Sequence, residues 1–275
     1  MATPIGNLED ITLRALRVLR EVSLIAAEDT RHSGRLLKHF QIDTPMISFH
    51  EHSDLNQRSR VVDALIDGDV ALISDAGTPG ISDPGFDLVV DAIHAGHMIS
   101  PIPGPAAVTA AVPVSGLVPG GFIFLGFLPR KSRERRDALR QVKDLPYPLV
   151  LYEAPHRLSS CLADLEQELG DRPLTVMREM TKLHEEIVRT SVIAARQRYA
   201  GESPRGEFVL VVGAAEVADD LPELESDAVL AMLARRLEAG ESPSAAARAV
   251  AKETGHPRSA LYDRLREIKS GGERG

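Results

Sequence analysis

The sequence predicts a two-domain α/β protein whose first half carries a largely parallel sheet, followed by a helical appendage. Three observations predict it. At 275 residues the chain exceeds one average domain. Short, uninterrupted apolar runs alternate with amphipathic segments, the pattern of strands buried on both faces beneath crossover helices. A stretch rich in Pro and Gly with no periodicity, residues 113–122 (PVSGLVPGGF), separates two such sets, and after residue 213 the composition turns acidic and Ala-rich. The expected division is therefore 1–112, 113–213 and a helical tail at 214–275.

The elements follow in order. Thr12 to Val22 spaces Leu13, Leu16 and Leu19 by three, which predicts a helix. Leu24 to Ala27, Met46 to Phe49 and Val70 to Ile73 read as strands, with helices over Arg35–Phe40 and Asp54–Asp67, the latter ended by Gly68. Phe86 to Ala95 is a helix with Asp83 near its cap, Pro84 at its first turn and Gly96 at its end. Met98 to Ile102 is expected to be the next strand. In the second half, strands are expected at Phe122–Leu125, Leu149–Tyr152, Leu174–Met177, Glu186–Thr190 and Glu207–Val212. Helices are expected at Ser132–Val142, Arg157–Leu169 and near Val192–Tyr199. Tail helices are expected at Asp227–Leu237, Ser244–Thr254 and Ser259–Ile268, and Gly255-His256-Pro257-Arg258 resembles the tight turn of a helix-turn-helix.

Composition narrows the function classes. Hydrophobic residues make up 43% and aromatics 4%, with no Trp, so the core is aliphatic. A single cysteine, Cys161, excludes an internal disulfide framework and a cysteine-rich zinc site. It falls on the apolar face of Leu158, Leu162 and Leu165 and reads as a buried core thiol. His50 and His52 around Glu51 lack a third ligand nearby, so no metal is expected. No apolar run reaches the roughly 18 residues of a membrane span and no leader opens the chain, so a cytoplasmic protein is expected. Net charge is −8, but it is uneven: −7 over residues 1–112, +2 over 113–213 and −3 over the rest. Between Arg130 and Lys143 seven basic residues face only Glu134 and Asp137, a local basic patch on an acidic protein.

The loops carry the chemistry. Residues 74–85 (SDAGTPGISDPG) follow a strand and open a helix, the place where open parallel sheets bind ligands. Glycines allow close backbone approach there and prolines stiffen the turns. The loop is neither a Walker loop nor a Gly-x-Gly-x-x-Gly fingerprint, so a ligand without a phosphate chain fits, and its carboxylates tolerate a sulfonium. Residues 101–107 (PIPGPAA) and 2–7 (ATPIGN) can line the same crevice. In the second half, YEAPHR (152–157), REMTK (178–182) and RGEF (205–208) put charged groups at strand ends, as AEDTR (27–31) does in the first.

Taken in order, TPIGNLEDIT (3–12), AEDTR (27–31), SDAGTPGISDPG (74–85), PGPAA (103–107), FLGFLPRK (124–131), YEAPHR (152–157), REMTKLHEE (178–186) and GEFVLVV (206–212) resemble the ribosomal small-subunit RNA methyltransferase I family. That resemblance implies a tetrapyrrole-methylase-like fold of two α/β domains, the second sheet mixed. It also implies S-adenosylmethionine as cofactor, a homodimer, and 2′-O-methylation of a cytidine ribose in the decoding region of 16S ribosomal RNA. The partner is then ribosomal RNA or the small ribosomal subunit.

By position, the resemblance implies cofactor contacts at Pro4, Gly6, Asp75, Gly77, Thr78, Pro79, Gly80, Ile81, Gly104, Pro105, Gly206, Glu207 and Phe208. Thr78 stands where the superfamily loop has Asp. Two departures are visible: Met1 immediately precedes the first loop where the family has an apolar strand, and Ala106 replaces the usual Ser. A ribose hydroxyl is a poor nucleophile and needs a proton acceptor, for which Glu153, Glu179 and Lys182 are candidates, the last needing a lowered pKa. Arg31, Arg130, Lys131, Arg133, Arg157 and Arg178 are the candidate RNA contacts. Two rival readings are a tetrapyrrole methylase and a non-catalytic nucleic-acid-binding regulator using the tail.

Overall fold

A computed structural model describes residues 1–50, 53, 55–201, 204–215, 227–254, 256, 258 and 260–265. Glu51 and His52 of the histidine motif lie outside the described residues, as do Gly255, Pro257, Ser259 and Ile268 of the expected tail turn and helix. Residues 1–215 form one compact unit, and the described part of the tail forms another.

The first sheet has three parallel strands, β1 (Leu24–Ala27), β2 (Met46–Ser48) and β3 (Val70–Ile73), in the order β2-β1-β3. Side chains alternate along β1. Ile25 and Ala27 face a core with Ala15 and Leu19 of α1 (Leu13–Glu21) and Leu37 of α2 (Thr30–His39). Ala26 faces the other way, toward Val61 of α3 (Leu55–Ala64) and Leu88 of α4 (Phe86–His94). Burial on both sides is why the strands read as unbroken apolar runs. Helix α2 begins five residues ahead of the expected Arg35, because Asp29 accepts the Arg31 amide at 2.8 Å and caps it.

One expected strand does not form. Residues 98–102 belong to no strand, with Met98 97% and Ile99 47% exposed. A strand needs a ladder along its length, and among the described residues this segment has none. Met1 donates its ammonium to the Leu72 carbonyl at 2.8 Å, Ala2 its amide to Ile102, and Thr3 forms a single antiparallel bridge with Gly77.

Helix α5 (Ala107–Ser115) then runs past Pro113, so residues 113–115 are its last turn, and Gly116 in the left-handed region ends it. Its apolar residues Val108 and Ala111 pack on Val150, Met177, Val209 and Val211 of the second sheet. That sheet holds β4 (Ile123–Phe127), β5 (Leu149–Glu153), β6 (Pro173–Arg178), β7 (Glu186–Ser191) and β8 (Phe208–Val212), in the order β4-β5-β8-β6-β7. Only β4 and β5 run parallel; the remaining pairs are antiparallel. Its other face carries α6 (Ser132–Val142), α7 (Leu158–Leu169) and α8 (Val192–Arg198), with Leu139, Leu158, Cys161, Leu162 and Leu165 fully buried. Each such leucine contributes on the order of 1.5–3 kcal/mol by leaving water.

Register decides what meets at the sheet edge. Glu153 at the end of β5 and Arg178 at the end of β6 both stand opposite Phe208, the first residue of β8. In the tail, α9 (Asp227–Glu238), α10 (Pro243–Thr254) and the helical residues 260–265 enclose a core of their own from Val229, Leu233, Ala246, Ala247, Val250, Leu261 and Leu265. Among the described residues no helix is long and apolar enough to cross a membrane.

Candidate active site

The glycine- and proline-rich loop is fixed from two sides. Thr3 and Gly77 exchange backbone hydrogen bonds of 2.8 and 3.0 Å, and the Thr78 hydroxyl donates to the Pro105 carbonyl at 3.1 Å. The three Gly/Pro loops therefore do converge. Asp75 ties the ends of β1 and β3: its amide donates to Glu28, and its carboxylate accepts the Asp29 amide at 3.1 Å. Ser82 sits at φ +64, a left-handed conformation a serine adopts only where its surroundings enforce it.

Between this loop and the edge of the second sheet lies a cavity of about 410 Å³. Gly77, Thr78, Ile81 and Asp83 line it from the first half; Phe127, Tyr152, Glu153, His156, Met180, Glu207 and Phe208 line it from the second. Of the expected cofactor contacts, Gly77, Thr78, Ile81, Glu207 and Phe208 reach its wall. Asp75, Gly104, Pro105, Pro4, Gly6, Pro79, Gly80 and Gly206 do not line it. A Cβ on Gly104 would come within 2.9 Å of the Ala2 side chain, so that glycine serves close packing of the first and second loops.

Glu153 is 1% exposed. Its Oε1 accepts the Ala154 amide at 2.9 Å and lies 3.1 Å from Arg157 Nε, while Oε2 is buried with no hydrogen-bond partner among the described residues. Behind it the Cys161 thiol has its pKa pushed up by burial and by the Glu153 charge. A buried carboxylate oxygen left without a donor is costly unless a ligand supplies one.

Glu179 and Lys182 are arranged differently. Lys182 Nζ donates to Glu179 and Glu207, each at 2.9 Å. Burial works against its charge, but the two carboxylates outweigh it and raise the pKa above its ordinary value. The lowered pKa that a lysine base requires is absent, so the expectation for Lys182 is corrected. For Glu179, burial is likewise outweighed, here by Lys182 and the Glu207 amide, and its pKa is lowered. Neither residue lines the cavity; they form a clamp on the Gly206–Phe208 segment. Gly206 sits at φ +91, and a Cβ there would fall 2.4 Å from the Glu179 side chain.

The expected RNA contacts divide. Arg157 turns inward, donating to the Leu128 carbonyl at 2.6 Å and to Pro129 at 3.2 Å, so its guanidinium holds the 128–129 turn and Glu153. Arg178 donates to the Arg205 carbonyl at 2.7 Å, and Arg31 forms a two-point pair with its own cap residue Asp29. Arg130, Lys131 and Arg133 are exposed at the start of α6, Lys131 pairing with Glu134 at 3.0 Å. That start is anchored by Arg135, buried against Asp164 with Nε to Oδ2 at 2.6 Å.

Three cavity residues carry signals that the sequence alone does not resolve. Tyr152 accepts the Val108 amide at 2.8 Å and so fastens the first turn of α5. His156 lines the cavity from within a motif whose charged neighbours give the stronger signal. Asp83 reads as a helix cap but lines the cavity, and its pKa is pushed up to about 6 by burial. A Ser74 hydrogen bond opposes that rise, and the charges of Glu28, Asp75 and Glu207 add to it. Among the described residues no cluster of three or more metal-ligating side chains occurs.

Residues 2–195 match the family model of Tetrapyrrole (Corrin/Porphyrin) Methylases, and residues 222–269 match that of the RsmI C-terminal HTH domain. The chain is 44% identical over 274 residues to Ribosomal RNA small subunit methyltransferase I of Synechocystis sp., covering 99% of this chain and 98% of that one. To the protein of the same name from Pseudomonas aeruginosa it is 45% identical over 267 residues, covering 95% and 94%. Among solved structures, the methyltransferase CobJ superposes with a TM-score of 0.58 at 17% identity, over 76% of this chain and 90% of that one. A diphthine synthase superposes at 0.57 and 16% identity, over 78% and 88%.

Proposed function

Because the chain belongs to the ribosomal RNA small subunit methyltransferase I family, within the tetrapyrrole methylases, we propose that it methylates ribosomal RNA with S-adenosylmethionine as donor, the acceptor being the 2′-oxygen of a cytidine ribose in the decoding region of the small subunit. The observation that carries this reading is the cavity, whose volume lies in the roughly 300–1,000 Å³ range of small-molecule sites. Its wall holds Asp83, Glu153 and Glu207 but no Lys or Arg, which suits a sulfonium nucleoside and disfavours a phosphate-bearing ligand. When bound, S-adenosylmethionine supplies a methyl group on a positively charged sulfur.

The chain's own residues supply the rest. Thr78, Ile81 and the segment Glu207–Phe208 bind the donor at the cavity wall. In this reading Glu153 accepts the hydroxyl proton, oriented through Oε1 by Arg157 and the Ala154 amide. Arg130, Lys131 and Arg133 meet phosphates of the RNA, and the tail adds a second contact surface. The same reading makes the active form a homodimer acting in the cytoplasm, where its substrate lies. Exposed Phe86 and Ile93 of α4, with Met98 and Ile99 after it, offer apolar surface for the second copy.

The test is methyl transfer from labelled S-adenosylmethionine to purified small subunits lacking the modification, with the nucleotide mapped by mass spectrometry. Label on a cytidine ribose of the decoding region is the expected result. Label on a base, or none with either free RNA or subunits, overturns the reading.

A further inference from the structure

The charge of the cavity wall bears on the order of events during turnover. Three carboxylates line the cavity, Asp83 from the first half and Glu153 and Glu207 from the second, and every other lining residue is neutral or a histidine. Glu28 and Asp75 stand behind Asp83, at the ends of β1 and β3, and act on it electrostatically. Two of the three lining carboxylates are ion-paired, Glu207 with Lys182, which also holds Glu179, and Glu153 with Arg157. The nearly fully buried Glu153 is held by the Ala154 amide at Oε1, with the Cys161 thiol against its carboxylate. The rings of Phe127 and Tyr152, packed edge to face at 5.6 Å, also line the cavity, and their electron-rich faces favour cations. Among the described residues, Asp83 is therefore the carboxylate of the wall that no ion pair neutralises.

We propose that the cavity discriminates by charge, with Asp83 as the sensing carboxylate: it holds the cationic sulfonium donor and releases the neutral thioether left after methyl transfer. This inference rests on the donor proposed above. Asp83 faces Glu28, Asp75 and Glu207, the Ser74 hydroxyl, the Tyr152 phenol and, across the cavity, Glu153 and His156. Burial, reinforced by the negative charge around it, pushes the pKa of Asp83 up to about 6 in the free protein. Arrival of a positive charge favours the carboxylate, so the proton leaves to solvent as the donor enters. The neutral product exerts no such pull.

Isothermal titration calorimetry of the full chain at pH 6, in buffers of different ionisation enthalpy, measures both consequences. The probes are S-adenosylmethionine and S-adenosylhomocysteine, which share every other titrating group. The expected result is release of about half a proton more for the sulfonium than for the thioether, since a group with its pKa at the working pH is half-protonated. The sulfonium is expected to bind on the order of tenfold more tightly, as a partly screened charge pair at cavity range supplies. Asp83→Asn is expected to abolish the excess proton and bring the two affinities within about twofold. Asp83→Glu, which keeps the charge, is expected to retain the preference. Equal affinities and equal proton counts in the wild-type protein overturn the charge-sensing role and leave the donor assignment standing. Binding of neither compound overturns the donor assignment itself. Should Asp83→Asn fail to fold, carbon-13 NMR titration of the wild-type aspartates, with and without the sulfonium, decides the same question through the carboxyl that titrates near pH 6. A carboxyl whose titration is unmoved by the sulfonium overturns the charge-sensing role.

Discussion

Replacing Asp164 by Asn should destabilise the protein far more than the loss of one surface carboxylate would. Arg135 is 2% exposed and Asp164 6%, and they meet through Nε to Oδ2 at 2.6 Å and a second nitrogen at 2.5 Å. Ser132 donates to the same carboxylate at 2.9 Å, and Arg136 lies 3.9 Å away. Asn leaves the Arg135 charge buried and uncompensated, a change that costs about 3–5 kcal/mol in comparable pairs. Contacts from Arg135 to the Pro129, Arg130 and Ser160 carbonyls remain, but at 3.3–3.4 Å they are long, so they offset only part of this. The lower end, about 3 kcal/mol, is the expected loss, or a fall in melting temperature of roughly 6–12 °C for a unit of this size. Thermal and urea unfolding followed by circular dichroism measure it. The double variant Arg135→Met with Asp164→Leu, which removes both charges and keeps the volume, should come back to within about 1 kcal/mol of wild type. If Asp164→Asn costs under about 1 kcal/mol, or the double variant is as unstable as the single one, the pair does not anchor α6.

Further outcomes follow from the same geometry. Glu153→Gln should lower kcat by about 10²–10⁴ while leaving the calorimetric affinity for S-adenosylmethionine within a few-fold, because the residue acts on the acceptor proton. Gly206→Ala should cost about 1–3 kcal/mol in strain and weaken donor binding, since its Cβ would displace the Glu179–Lys182 clamp. Arg130→Ala and Arg133→Ala should each reduce the salt-dependence slope of RNA binding by about 1, without changing the melting temperature. Asp83 adds a pH dependence. Its folded pKa is raised from 3.8 to about 6, so the stability present at low pH is lost as pH rises across that window. The full shift corresponds to about 3 kcal/mol, and partial solvent exposure reduces it to about 1–1.5 kcal/mol. Asp83→Asn should therefore melt higher than wild type at pH 8 and equally at pH 3.

The strands legible in the sequence are those whose pattern is local. Leu24–Ala27 and Val70–Ile73 appear as apolar runs because both of their faces are covered, and the structure returns those bounds unchanged. Met98–Ile102 carries a similar signal but no ladder, because hydrogen-bonded pairing depends on a neighbour that periodicity does not reveal. The same limit applies at the site. That loops 2–7, 74–85 and 101–107 meet can be inferred from their order. The engagement of Lys182 by Glu207, 25 residues away, and the inward turn of Arg157 toward Leu128, 29 residues away, depend on strand register. Asp83 is hidden by its cap-like position: the groups that perturb it come from the ends of β1 and β3 and the entry to β8.

The close approach of Ser82 to β4 has a consequence for building chimeras. Residue 125 is bulged out of the β4–β5 register, and Gly126 follows at φ +58, where a Cβ would stand 2.7 Å from the Ser82 hydroxyl. The loop of the first half is thus seated in a notch that only a glycine leaves open. A hybrid that takes residues 1–116 from this chain and the remainder from a relative without a glycine at that notch has to turn the Ser82 hydroxyl aside and carry the strain of a left-handed side chain, about 1–2 kcal/mol. Residue 126 is thus a position to check, beside the α5 packing, in any recombination across the halves.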